Sequence, residues 1–334
     1  MKSWMKSWMK SWIMLALWLV ASLAVAACAG HDWATPAELA RAAAGDDSLR
    51  SRLLVEWRMP RVLAAALVGA LLGISGTVFQ GVFRNPLAEP YLLGSAGGAG
   101  LGAAIALLVP IGIPQWLLLP LLAFAGAWGA TATVVMISRI AGAVDAAGLL
   151  LAGVAVAAIL AALRSFLMLA LSDESVSLQV VLSWTLGGIQ TPTWSGLGVL
   201  AILVAGCVGL TLRLAKGLDV LGLGETMATS FGFNVRNFVA VAVLIGSVVV
   251  ATAVAYGGLV AFVGLASPHV ARWLMGPLHR QLLPASALIG AIVVTIADAL
   301  ARSILPPTEI PLGLITAIAG GPFFIVLLAR RLRS

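Results

Sequence analysis

The chain is 334 residues long, and 61% of its residues are hydrophobic while only 10% are charged. Soluble globular proteins have about 45–50% apolar and about 25% charged residues, so this composition excludes a soluble domain, and the apolar content also excludes a disordered chain. The net charge of +7 is high enough for a nucleic-acid-binding protein, but the cations lie at the ends of apolar segments, which is typical of a membrane protein.

Ten apolar segments follow one another along the chain, and each is compatible with a membrane-spanning helix. The hydrocarbon core of a bilayer is about 30 Å thick, so a spanning helix needs about 20 mostly apolar residues. The predicted spans are 12–29, 60–80, 91–109, 115–138, 146–171, 193–212, 238–256, 259–275, 283–305 and 311–329. The alternating polarity of barrel strands does not occur in the sequence. The predicted fold is therefore an all-α, polytopic membrane protein, with a single transmembrane domain over residues 1–334.

The first span leaves two alternatives open. Translation could begin at Met5 or Met9, within the repeated opening MKSWMKSWMKSW. The run that ends at Cys28 also resembles a cleaved signal, including one with a lipid-modified cysteine. We favour a retained span, because cleavage would leave nine spans and place the C-terminal arginines outside.

Lysine and arginine predict the orientation, because cytoplasmic loops collect both residues. One side of the predicted topology carries thirteen of them: Lys2, Lys6, Lys10, Arg84, Arg139, Arg213, Lys216, Arg236, Arg272, Arg280, Arg330, Arg331 and Arg333. The other side carries six, of which the first three lie in a long outer loop at about 30–57: Arg41, Arg50, Arg52, Arg58, Arg61 and Arg302. We therefore expect both termini to be cytoplasmic.

Two candidates stand out inside predicted spans, where charge is costly and tends to face a cavity or a partner: Asp298 with Arg302, and Arg164. Asp298 and Arg302 are four residues apart on one helical face, so a mutual ion pair is the simplest interpretation. Arg164 lies midway along the fifth span with no acid within one turn. It is either an interhelical structural residue or a cation on a pathway for an anionic cargo, which makes it a candidate cargo-pathway residue.

Other patterns favour packing over chemistry. Gly94, Gly98 and Gly102 repeat every four residues and predict close helix packing. Two cysteines and three scattered histidines favour neither a disulfide framework nor a metal site, and Ser267 and His269 are two apart on a helix, so they would point in different directions. No phosphate-binding G-x-x-x-x-G-K-[ST] loop is present, so any ATP must be bound by another subunit.

The cytoplasmic segment 213–237 differs from the other connections because it is polar and carries both charge signs. It contains a short helix-compatible stretch, 225–231. A connection of this length needs its own structure or a function, so it is either a surface connector or a docking element for a cytoplasmic partner.

Several motifs resemble the membrane-spanning subunits of binding-protein-dependent ABC importers for iron chelates and vitamin B12, the FecCD-type or type II importers. The matching stretches are RMPRVLA at 58–64, SG at 75–76 with QG at 80–81, RNPLAEP at 84–90, LLAGV at 150–154, LGLGE at 221–225, FVGL at 262–265, PH at 268–269, AR at 271–272, IPLG at 310–313 and GGPFF at 320–324. These collinear matches cover nearly all of the chain beyond residue 55.

The resemblance implies an assembly and a location. Two copies of the chain would form a homodimer of ten spans each in the bacterial cytoplasmic (inner) membrane, with the cargo path on the dimer axis. Two cytoplasmic ATPases, which hold ATP and Mg²⁺, would lie below, and a periplasmic or lipid-anchored binding protein above. The chain itself would bind no cofactor, metal or nucleic acid and would have no catalytic residue.

The resemblance also implies roles for individual residues. Arg58, Arg61 and Arg302 match outward arginines that pair with glutamates of the binding protein. Asn85 and Leu87 match an inner gate. The stretch 217–234 matches the coupling helices that contact the ATPase, and its candidate residues are Gly217, Leu221, Gly222, Leu223, Gly224, Glu225 and Phe231.

Two regions depart from the family pattern. Some members carry hydroxyl residues at the inner start of the fifth span, where this chain has Asp145-Ala146-Ala147, and Ile189-Gln190-Thr191-Pro192 is less typical of the outer region. The identity of the cargo stays open among ferric siderophores, haem and cobalamin. Ferric siderophores lead on family frequency alone. The alternative function is an ion-gradient-driven secondary transporter of a small anion, although midplane acids and inverted repeats typical of that class are not evident in the sequence.

Overall fold

The computed structural model describes the backbone of residues 2–171 and 174–331, which forms α-helices joined by short connections. In chain order the helices are α1 (Lys2–Cys28), α2 (Pro36–Ala43), α3 (Leu49–Leu53), α4 (Met59–Val82), α5 (Ser95–Leu108), α6 (Gln115–Ile140), α7 (Ala146–Leu171), α8 (Glu174–Thr185), α9 (Trp194–Leu221), α10 (Glu225–Ser230), α11 (Val235–Gly257), α12 (Val263–Met275), α13 (His279–Ala301) and α14 (Leu312–Arg331). These residues contain no β-strand, as predicted for an all-α fold.

Seven helical segments of the described chain are long and apolar enough to cross a membrane. They are Met9–Cys28, Leu49–Val82, Gln115–Ile140, Ala146–Leu171, Trp194–Leu221, Val235–Gly257 and His279–Ala301. The other three predicted spans coincide with α5, α12 and α14, of which α5 and α12 have only 14 and 13 residues. Each predicted span thus contains a helix, while ten crossings and cytoplasmic termini stay predictions.

The helices α5 and α12 begin later than predicted because a backbone turn precedes each of them. Before α5, Pro90–Leu93 forms a 3-10 turn and Gly94 adopts a left-handed φ of +81°. Before α12, Gly258 and Phe262 have φ of +62° and +65°, which no α-helix can accommodate. The two helices therefore begin four residues later than predicted, at Ser95 and at Val263.

The helix α9 is longer than the predicted span 193–212 and continues to Leu221. Leu214, Leu218 and Leu221 recur at helical spacing and are buried against the bundle, so burial extends the helix through a polar sequence. The first part of the segment 213–237 is therefore a helical extension, and the short helix α10 follows it.

The centre of the bundle is α4, which packs against α13, α11 and α12 through small residues. A Cβ atom on Gly69 would lie 2.2 Å from the carbonyl oxygen of Gly290, so the α4 and α13 backbones are in direct contact. The same approach joins Gly76 of α4 to the backbone of Gly264 in α12. Small residues allow this proximity, which increases dispersion contacts between helices in lipid.

The glycine repeat of α5 has the predicted packing role at two of its three positions. Gly98 lies against Gly126 of α6, and Gly102 lies against the carbonyl oxygen of Leu122, also in α6. The prediction for Gly94 is wrong, because this residue precedes the helix and ends the 3-10 turn.

The helix α7 is the least buried long helix. In its most apolar stretch 17% of residues are buried, compared with 78% for the Leu49–Val82 segment. Large apolar side chains such as Leu151, Ile159 and Leu169 are exposed along it. Such a surface must be covered by lipid or by another protein chain.

The predicted outer loop at 30–57 is ordered by two short helices and a π-helical turn, Leu54–Arg58, that leads directly into α4. A capping box begins α2: the Thr35 hydroxyl accepts from the Glu38 N–H, and the Glu38 carboxylate accepts from the Thr35 N–H at 2.7 Å. This backbone hydrogen bond lowers the pKa of Glu38 by stabilising the charged carboxylate.

Candidate docking, gating and coupling sites

A network of two arginines and two acids lies where α4 begins and α13 ends. Arg61 donates from Nε and Nη2 to Asp298 Oδ1, both at 3.1 Å, and from Nη1 and Nη2 to Glu309 at 2.9 and 2.7 Å. Arg302 donates from Nε to Asp298 Oδ2 at 2.9 Å, which confirms the predicted Asp298–Arg302 ion pair. The Asp298 side chain is only 1% exposed, so both cations compensate for a buried carboxylate.

Arg302 and Arg58 also hold the C-terminal end of α1. Arg302 donates from Nη1 to Ala29 O at 2.8 Å and from Nη2 to Ala26 O at 3.2 Å, while Arg58 donates from Nη1 to Cys28 O at 3.2 Å. The last carbonyls of a helix lack internal partners and carry partial negative charge, so guanidinium groups stabilise them. With its side chain only 6% exposed, Arg302 is not available to a partner in this arrangement.

The three arginines predicted to dock the binding protein thus differ in their surroundings. Arg302 is buried, Arg58 is half-buried against α1, and Arg61 borders solvent through its contact with the partly exposed Glu309. Binding-protein docking stays a prediction for all three. Arg61 is the one that an external carboxylate could reach by displacing a neighbour.

A cavity of about 530 Å³ opens beside this network. Its lining includes Arg61 and Glu309 of the network together with Trp116 and Trp184. Gln190, from the stretch that departs from the family pattern, also lines it. The stretch that departs from the family pattern therefore lies at this cavity, next to the charged network.

The predicted inner gate follows α4 directly. Asn85 is exposed, and its Oδ1 accepts a hydrogen bond from the Leu87 N–H at 3.0 Å, which closes a tight Asx turn. Leu87 is half-buried. The turn fixes the two residues relative to each other, while the gating role stays a prediction.

The residue before this turn contacts the predicted coupling segment. Arg84 has a left-handed φ of +47°, which is unusual for a non-glycine residue. Its Nη2 donates to Glu225 Oε1 at 2.5 Å, at the first residue of α10. The tertiary structure thereby brings the predicted gate and the predicted coupling segment together.

The seven predicted coupling residues do not form one surface. Leu221 is fully buried and Gly217 lies beneath the ring of Phe238, so both pack inside the bundle. Leu223 and Phe231 are 58% and 70% exposed. The exposed residues among the seven are Gly222, Leu223, Glu225 and Phe231, while Gly224 is half-buried. The neighbouring Met227, which sequence analysis missed, is also exposed.

A second contact joins the end of α9 to the start of α13. Asp219 Oδ1 accepts from the His279 backbone N–H at 3.0 Å and from His279 Nδ1 at 2.6 Å. The carboxylate satisfies a free N–H at the N-terminus of α13, where negative charge is favourable. Asp219 therefore joins the helix that precedes α10 to the central bundle.

The non-helical breaks before α5 and α12 bond to each other, which sequence analysis did not find. Glu89 Oε1 accepts from the Phe262 N–H at 3.2 Å. The Tyr91 hydroxyl donates to Val260 O at 3.2 Å and accepts from the Val260 N–H at 3.3 Å. These side chains pair backbone groups that broken helices leave free. The signal available in the sequence was the presence of Glu89 and Tyr91 beside Pro86 and Pro90.

Arg164 lies over α5, where a Cβ on Gly100 would be 2.8 Å from its Nη1. Its Nε is buried and has no hydrogen-bond partner among the described residues. This placement fits an interhelical contact, and the cargo-pathway role stays a prediction.

The departure at 145–147 has a local structural role. Asp145 Oδ1 accepts from the Gly148 N–H at 2.7 Å, so the aspartate caps the N-terminus of α7.

His269 packs edge-on against Trp273 and Phe323, with ring centroids 4.7 and 6.1 Å away.

Comparison with known proteins identifies the family. Residues 16–330 match the model of the FecCD transport family. The Fe(3+) dicitrate transport system permease protein FecD of Escherichia coli (strain K12) is 39% identical over 83% of this chain and 85% of its own. The hemin transport system permease protein HmuU of Yersinia pestis is 39% identical over 82% of both. The solved structure of a metal-chelate type ABC transporter in an inward-facing conformation superimposes with a TM-score of 0.83 at 29% identity, covering 96% of this chain and 99% of that one. This chain belongs to the FecCD transport family of ABC transporter permeases.

Proposed function

We propose that this chain is the membrane-spanning subunit of an ATP-driven, binding-protein-dependent importer that carries an iron chelate across the bacterial cytoplasmic membrane. The observation that carries the proposal is the identity of 39%, over more than four fifths of the chain, to permeases named for Fe(3+) dicitrate and hemin. Family membership also removes the support for a gradient-driven transporter.

The proposed assembly is a homodimer with two cytoplasmic ATPases and one binding protein. The exposed apolar surface of α7 is available for contact with a second copy. On the cytoplasmic side, Leu223, Met227 and Phe231 form an apolar surface around α10 that an ATPase would cover. ATP and Mg²⁺ belong to that partner, because this chain has no phosphate-binding loop.

The proposed topology has ten crossings with both termini in the cytoplasm. The short helices α5 and α12 would complete their crossings with the bonded non-helical stretches at 85–94 and 258–262. Irregular backbone at membrane depth is tolerated where it is buried in protein or lines a cavity, and the bonds of Glu89 and Tyr91 meet this condition.

The mechanism proposed is alternating access. The binding protein would dock over the outer network, with Arg61 exchanging Glu309 for a glutamate of the partner. ATP binding below would then move α10 and the gate at Asn85 and Leu87, and the cargo would pass along the dimer axis, with Arg164 available to an anionic chelate. Ferric siderophores are the leading cargo, with haem and cobalamin as the other candidates.

Native mass spectrometry of the tagged protein, extracted gently from its own membranes, tests the assembly. Two copies of this chain with two copies of an ATPase are expected. Proteoliposomes of that complex, with its binding protein, should then accumulate radiolabelled ferric citrate, haem or cobalamin only in the presence of ATP. A chain recovered without any nucleotide-binding partner, under conditions that preserve a known importer, would contradict the proposal.

A further inference from the structure

We propose that the Arg84–Glu225 ion pair is the direct link that transmits movement of α10 to the gate turn at Asn85 and Leu87. The inference rests on the proposed function, since it assumes that a nucleotide-binding partner moves α10. It assigns to Arg84 a positioning role that neither the sequence pattern nor the family comparison provides.

The position of the pair is the first argument. Arg84 immediately precedes Asn85, whose side chain closes the turn onto the Leu87 N–H. Glu225 is the first residue of α10, and the exposed apolar side chains of Leu223 and Met227 flank it. The ion pair therefore connects the gate turn directly to the surface that a partner would cover.

The backbone of Arg84 is the second argument. A φ of +47° is strained for any residue with a Cβ, and glycine is the residue that adopts it without cost. At this position, glycine would relax the turn but would remove the guanidinium group that reaches Glu225. An arginine held in a strained conformation at a junction between two elements indicates a role for its side chain.

The solvent exposure of the pair is the third argument. The side chains of Arg84 and Glu225 are 40% and 49% exposed, and ion pairs of this kind add little to folding stability. A partner docked on Leu223 and Met227 would exclude water from the same surface and strengthen the attraction. The ion pair would thus be weak in the free chain and stronger in the complex, where it must transmit the movement of α10.

Accessibility of the gate provides a readout that needs no cargo. Cys28 and Cys207 are the only cysteines of the chain, so a cysteine-free background carrying Leu87→Cys can be labelled with a membrane-impermeant maleimide from the cytoplasmic side. The complex with its ATPase is labelled without nucleotide and after trapping with ATP and vanadate. We expect the labelling rate to differ several-fold between the two states.

The variants are Arg84→Gly, Arg84→Glu, Glu225→Arg and the double exchange of the last two. All three single variants should lose the nucleotide-dependent difference in labelling, the two Arg84 variants while they keep the bound ATPase and hydrolyse ATP, and the double exchange should restore it. Arg84→Gly should unfold at no lower temperature than the parent, because it relieves the positive φ. Arg52→Glu, which breaks the exposed outer pair with Asp47, is the matched control and should keep the difference.

Two outcomes would overturn the link: a difference in labelling that survives the single reversals, or a double exchange that fails to restore it. An unsubstituted complex with bound ATPase but no nucleotide-dependent labelling would contradict the proposed gate itself, and the link with it.

Discussion

Arg61 and Asp298 are 237 positions apart in the chain, yet Arg61 donates two hydrogen bonds of 3.1 Å to one oxygen of the Asp298 carboxylate. The other oxygen accepts from Arg302. The buried carboxylate therefore holds two cations together where α4 begins and α13 ends.

Asp298→Asn should destabilise the protein strongly. The substitution leaves two guanidinium groups close together without their shared anion, and breaking a buried ion pair costs about 3–5 kcal/mol. Thermal unfolding in detergent measures the loss. Glu309→Gln is the control, since Glu309 is 52% exposed and its removal should cost at most about 1 kcal/mol. Equal losses for the two variants would contradict this account of the network.

Glu309→Gln should also increase the rate at which the binding protein associates. The substitution frees Arg61 from an exposed competitor, and an uncompensated charge of the sign that attracts the partner raises the association rate at low salt. Arg61→Gln should lower the rate, and surface plasmon resonance at two salt concentrations measures both. Arg41→Gln removes a cation from exposed α2 and is the matched control. If the Arg41 and Arg61 variants bind alike, Arg61 does not dock the partner.

Gly290→Ala should destabilise the contact between α4 and α13. The added Cβ would lie 2.1 Å from the carbonyl oxygen of Gly69, so the helices must separate, and overpacking of this kind costs about 1–3 kcal/mol. Gly129→Ala, on α6, has open space around its Cβ and should gain about 0.5–1 kcal/mol from helix propensity. Chemical denaturation of the two variants side by side gives the comparison. A Gly290→Ala protein as stable as the parent would rule out direct backbone contact.

Tyr91→Phe should weaken the contact between the two broken helices. Loss of the hydroxyl leaves the Val260 N–H and C=O without their partner, at a cost of about 1–3 kcal/mol. Hydrogen exchange at 258–262 should become faster. Tyr256→Phe is the control, because the described residues offer no hydrogen-bond partner to its hydroxyl. Unchanged exchange in the Tyr91 variant would show that the hydroxyl does not hold the break together.

Much of the local structure could be predicted because it depends on neighbouring residues. Apolar runs of suitable length predicted a helix within each of the ten segments, and 146–171 agrees with α7 at both ends. Asp298 and Arg302 could be paired because four residues is one helical turn. The glycine repeat predicted the approach of α5 to another helix at Gly98 and Gly102, without naming α6.

The boundaries that failed depend on contacts between distant parts of the chain. The helix α9 extends to Leu221 because the bundle buries its leucines, although the local sequence is polar. Likewise, α5 and α12 begin late because their preceding stretches bond to each other across more than 150 residues of sequence. A hydropathy window measures average polarity over a short stretch and contains no information on such partners.

The sequence by itself determined that the chain belongs in a lipid membrane, that its fold is helical and which family it belongs to. Composition, the length of the apolar segments and collinear motifs are all properties of the chain. Only the tertiary structure decided that Arg302 is buried against α1, that Arg61 is shared by Asp298 and Glu309, and that Arg84 reaches Glu225. The availability of a charged side chain depends on which distant groups folding brings within hydrogen-bond distance, and that is a property of the packed bundle.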